Sequence, residues 1–117
     1  MKQNIVFQKS KEFALDVINI YKKLYFDDKE RVMSVQLLRS AASIGANIAE
    51  SVCASSSADF LNKIYISLKE SKETGYWLEL LFMSHYISEA AFKKLTMQCD
   101  EIAKILMATT KKLKIDN

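Results

Sequence analysis

The chain has 117 residues, 17 basic and 14 acidic side chains, a net charge of +3, and a hydrophobic content of 50%. This length suits one domain over 1–117 whose core buries roughly two-thirds of the extended-chain surface, and the apolar content excludes a disordered chain. No apolar run approaches the roughly 18 residues of a membrane span, and residues 1–11 read as too polar for a signal peptide.

There is no proline, and Gly45 and Gly75 are the only glycines. The usual punctuation of hairpins is missing, so long helices are the natural expectation. The first runs from Phe7 to Tyr25. Phe13, Val17, Ile20 and Leu24 form one stripe on it, and Ala14, Ile18, Tyr21 and Tyr25 form a second alongside. Ser10 reads as its N-cap. Two adjoining stripes bury more than a two-helix hairpin covers, which points to a bundle and a partner. Asp27-Asp28-Lys29-Glu30 interrupts the pattern, and Asp27 with Glu30 has capping-box spacing at the positive end of the next helix dipole.

The second helix is expected over 28–54. Leu37, Ala41, Ile44 and Ile48 share one flank, and Leu38, Ala42, Gly45 and Ala49 the adjoining one. Gln36, Ser40, Ser43, Asn47 and Glu50 line the opposite side, where a solvated helix usually carries Lys and Glu. Small hydroxyls allow close approach and amides satisfy hydrogen bonds away from water. The helix is therefore expected to be enclosed partly by its own bundle and partly by another subunit. Gly45 costs about 1 kcal/mol relative to Ala in a helix interior, which a crossing backbone would explain.

Ser55-Ser56-Ser57 is the next break, and Ser56 with Asp59 repeats the capping signature. The third helix is expected over 57–85, with Phe60, Ile64, Leu68, Ser71, Gly75, Leu78 and Phe82 as its seam and His85 in its last turn. Ser71 and Gly75 narrow this seam as Ala42, Gly45 and Ala49 narrow the second helix, so the two are expected as close neighbours. Ser88 reads as the cap of the fourth helix, which continues to Lys112. Its seam of Phe92, Leu95, Cys99, Ile102, Leu106, Thr109 and Leu113 has heptad spacing. Short connections force consecutive helices antiparallel, giving an all-α, up-down-up-down antiparallel four-helix bundle.

Little here carries chemistry. The only histidine sits at a helix end, and the residue three before it is Phe82, so the Glu-x-x-His pattern of di-iron bundles is missing. Cys53 and Cys99 lack metal-ligand spacing and read as reduced, buried small hydrophobes in a cytoplasmic protein. There is no glycine-rich phosphate loop. Glu50 and Glu73 could face each other as paired carboxylates, but hydrogen bonding to nearby polar groups explains them more simply. No catalytic residue, metal or cofactor is expected.

Positive charge lies on the outer helices: residues 1–26 carry +3 and 88–117 carry +2, whereas 27–55 and 56–87 carry −1 each. A nucleic-acid surface would draw on Lys9, Lys11, Lys22 and Lys23 of the first helix. Lys93, Lys94, Lys104, Lys111, Lys112 and Lys114 of the fourth would join them. Glu12, Asp16, Asp100 and Glu101 interrupt both sets.

These stretches resemble a family of small bacterial four-helix-bundle proteins. It includes proteins encoded in intervening sequences of large-subunit rRNA genes and the accessory variability determinants of diversity-generating retroelements. The family's second-helix pattern, Q-[LI]-x-R-[AS]-A-x-S-I-x-x-N-I-A-E-G, is matched by Gln36, Leu37, Arg39, Ser40, Ala41, Ser43, Ile44, Asn47, Ile48, Ala49 and Glu50. Asp59-Phe60-Leu61 matches the start of its third helix. Ser71, Glu73, Thr74, Trp77 and Leu78 follow its S-x-x-E-T-x-x-W-L pattern with the Ser–Glu spacing one shorter. Gly45 stands where the family often has Pro, and Ser51 where it has Gly. The resemblance implies a homopentameric barrel of bundles with a central channel. For the retroelement branch it implies binding of RNA and a reverse transcriptase through a basic surface.

The sequence thus predicts a non-enzymatic homo-oligomeric scaffold, with an RNA-binding accessory factor as the alternative. Its packing motif is Gln36, Arg39, Ser40, Ser43, Gly45, Asn47 and Glu50 on the second helix with Ser71, Glu73 and Gly75 on the third.

Overall fold

Helix α1 spans Lys2–Lys22 and passes into a π-helical turn at Lys23–Asp27. Helix α2 spans Met33–Ser51, α3 Ser57–Met83 and α4 Glu89–Asp116. The computed structural model describes the backbone of residues 2–116 and the side chains of residues 5–113. Each helix packs on its two sequence neighbours, with α1 and α4 closing the square. The connections are short, so the helices alternate in direction and form the antiparallel four-helix bundle that the periodicity predicts.

The core sits where most of the stripes place it. Phe13, Val17 and Leu24 meet Leu37, Ala41, Ile44 and Ile48 of α2, with Leu95, Cys99, Ile102 and Leu106 of α4 opposite. The third helix is rotated from expectation. Its buried stripe is Ile64, Ser67, Ser71, Thr74, Leu78 and Leu81, while Phe60, Leu68, Gly75 and Phe82 are only half-buried. Hydroxyls cause the shift because each finds an internal acceptor. Ser67 donates to the Ile44 carbonyl at 2.8 Å and Thr74 to the Glu70 carbonyl at 2.8 Å. A satisfied hydroxyl costs little to bury, and its small volume lets α3 lie close against α2.

The helix ends follow the sequence signals in part. Ser56 Oγ accepts the Asp59 N–H at 3.0 Å, and Ser88 Oγ accepts the Ala91 N–H at 3.1 Å, so both caps form as expected. The Asp59 carboxylate takes the N–H of Ser55 at 3.2 Å. Ser10 is not a cap. It lies buried in mid-helix and donates to the Phe7 carbonyl, because α1 begins several residues earlier.

The Asp27–Glu30 box is also replaced. The chain leaves α1 through the π turn, with the Glu30 N–H on the Leu24 carbonyl and Lys29 at a φ of 57°. The Glu30 carboxylate then accepts the N–H groups of Val32, Met33 and Ser34 at 3.3, 3.2 and 2.7 Å, so Glu30 alone caps α2. At the far end of α3, His85 N–H bonds the Phe82 carbonyl and Tyr86 N–H the Leu81 carbonyl, at 3.0 and 2.8 Å. With His85 at a φ of 69°, this is a Schellman closure. His85 therefore lies past the last turn of α3, not within it.

Gly45 does mark a crossing, and the crossing element is α1 of the same chain. A Cβ at this position would stand 2.9 Å from Ser10 Oγ. The second and third helices are the close neighbours expected, but at Gly75 a Cβ would meet nothing within 4 Å, so Gly75 is not where they touch. Both cysteines are free thiols; Cys99 is buried as expected, whereas Cys53 is exposed just beyond the end of α2.

Candidate interaction surfaces

The polar stripe of α2 turns toward α3 of its own chain. Ser40 is fully buried, its hydroxyl 3.0 Å from Thr74 Oγ1. Asn47 donates to the Ser43 carbonyl and hydroxyl at 2.9 and 3.1 Å. Glu50 accepts from Lys63 at 3.1 Å. The bundle itself satisfies these groups, so the stripe does not require the sister molecule that its composition suggested.

Arg39 is the centre of this rim. Its Nε donates to Gln36 Oε1 at 3.1 Å, one terminal nitrogen to Glu70 at 3.4 Å, and the other to Glu73. Glu73 also accepts the Trp77 indole N–H at 2.9 Å. The indole and then the guanidinium hold the Glu73 carboxyl below the usual carboxylate range, and Glu73 in turn raises the pKa of Arg39. Five side chains from two helices thus lock the α2–α3 rim. A fan of donors already engaged in-chain orients surfaces more than it performs a reaction.

What remains uncovered on α2 is one step round from the polar stripe. Val35, Ala42, Ala46 and Ala49 are exposed, and together with Arg39 they repeat at heptad spacing along the outer face. No lysine occurs between Met33 and Ser51. The sequence placed Ala42 and Ala49 on an inward flank. In the fold α1 meets that flank at Gly45, and those alanines are left outside.

The lysines of α1 and α4 share one side of the bundle, because those helices are neighbours. Acids are interleaved among them. Lys9 pairs with Glu101 at 2.9 Å, and Asp16 takes Lys94 at 3.6 Å and Gln98 at 2.9 Å, which stitches α1 to α4. Lys23 pairs with Asp28 at 2.9 Å and Lys93 with Glu89 at 3.9 Å, while Lys11 lies over the Phe7 ring. Lys22, Lys104, Lys111 and Lys112 are exposed. Lys114 lies outside the residues whose side chains are described. Exposed pairs of this kind contribute less than about 1 kcal/mol each.

Groups that could carry chemistry are dispersed. Glu50 and Glu73 do not form a carboxylate pair, since Lys63 holds one and Arg39 the other. Burial pushes the Cys99 thiol up to about 12, away from the thiolate a nucleophile needs. Among the described residues no group of three or more His, Cys, Asp or Glu could hold a metal ion. Among those residues, too, no helix is long and apolar enough to cross a membrane.

A family profile described as 23S rRNA-intervening sequence protein matches residues 2–108, nearly all of the four helices. The chain belongs to this family. A similar crystal structure is that of a protein with unknown function from the S23 ribosomal protein family of Bacteroides thetaiotaomicron VPI-5482. It is 50% identical, with a TM-score of 0.93, and the alignment covers 95% of this chain and 99% of that one. The comparison with curated proteins finds no match.

The two stretches that carry the resemblance to the intervening-sequence proteins meet in space. Gln36 and Arg39 come from the second-helix pattern, Glu73 and Trp77 from the later one, and the Arg39–Glu73 pair joins them. Ser71, from the later pattern, instead faces α4, its carbonyl accepting from Cys99 Sγ at 3.4 Å. Sequence reasoning missed Glu70 and Ser67, and met Thr74 only as a residue of the family pattern. The signal for Ser67 and Thr74 was the Ser67-Ser71-Thr74 spacing of four and three, which marks one helix face.

Proposed function

We propose that this intervening-sequence protein is a non-enzymatic scaffold, the whole chain acting as one bundle domain that assembles with copies of itself into a ring. Five subunits is the number the resemblance implies. The observation that supports assembly is the outer seam of α2, where Val35, Ala42, Ala46 and Ala49 are exposed in a helix without lysine. Small residues at heptad spacing let a second helix approach closely. Gln36, Arg39, Ser40, Ser43, Asn47, Glu50 and Glu73 serve that surface by fixing α2 on α3. Two unpaired thiols suit the reducing cytoplasm.

Sedimentation tests this directly. The native protein is expected at several times the chain mass of 13.4 kDa. Ala46→Glu, which places a charge in the seam, should shift it to a monomer with unchanged helical circular dichroism. A native protein that sediments as a monomer at working concentration overturns the scaffold.

The second function, an accessory factor that binds RNA beside a reverse transcriptase, draws on the exposed Lys22, Lys104, Lys111 and Lys112 of the α1–α4 side. Binding to a structured RNA should weaken as salt rises, with a slope that falls by about 1 for each phosphate-contacting lysine removed. Affinity indifferent to salt, or to Lys104→Ala and Lys111→Ala together, counts against it.

A further inference from the structure

We draw no further inference here: the strongest candidate, the cleft on the outer face of α4 lined by Phe92, Thr96, Met97 and Asp100, is walled by that helix alone, and nothing in the structure shows what covers it.

Discussion

Replacing Gly45 by leucine should destabilise the fold by about 3 kcal/mol, the upper end of the cost of overpacking a well-filled contact. Even the first added carbon would lie 2.9 Å from Ser10 Oγ, and Ser10 is 1% exposed with its hydroxyl committed to the Phe7 carbonyl. The rest of the side chain would drive α1 off α2. Because the obstacle belongs to the same chain, the loss in urea unfolding should persist in the Ala46→Glu background, where assembly is removed. The smaller change Gly45→Ala sets a helix-propensity gain of about 1 kcal/mol against displacement of one hydroxyl. Combined with Ser10→Ala, which removes that hydroxyl, it should reach or exceed native stability, with a coupling of about 1 kcal/mol between the two sites. Strict additivity would show that Ser10 is not the obstacle.

Glu30→Ala is expected to cost about 2 kcal/mol and lower Tm by about 5–10 °C, followed by circular dichroism. Its carboxylate accepts three N–H groups at the start of α2, and the Ser34 hydroxyl returns a bond to the Glu30 carbonyl. Glu30 is 9% exposed and Ser34 fully buried, so water replaces these partners poorly. Glu30→Gln keeps one acceptor oxygen and should lose less. Asp27→Ala should stay within about 0.5 kcal/mol of the native protein, since Asp27 ends the π turn and lies outside this cap. Equal losses at Asp27 and Glu30 would restore the capping box that their spacing suggests.

The two variants also bear on function. Gly45 and Glu30 set the tilt and the start of α2, and α2 carries both the Arg39 rim and the alanine seam. A variant that loosens either should weaken assembly as well as folding. Ala46→Glu should weaken assembly alone, because Ala46 is exposed and nothing in the bundle depends on it.

The resemblance to the intervening-sequence family was legible in the chain because its motif residues are local runs. The sequence placed Arg39 and Glu73 in one packing motif, but their direct pairing was not legible, since the two are 34 residues apart and only the packing of α2 on α3 joins them. Nor was the role of Thr74, whose hydroxyl the fold turns inward onto Ser40.

By itself the sequence determined four helices, their breaks, the caps at Ser56 and Ser88, and most of the core. Those features depend on neighbours within a turn or two and on side chains large enough that burial outweighs every alternative. Tertiary structure alone decided which way the small residues face. Ala, Ser and Gly gain too little from burial to choose a side, so their place is set by what crosses them. Ser10 therefore became a contact instead of a cap, the polar stripe of α2 turned to α3, and Ala42, Ala46 and Ala49 were left on the outside. Single-residue propensities cannot encode that choice, because it depends on distances between helices.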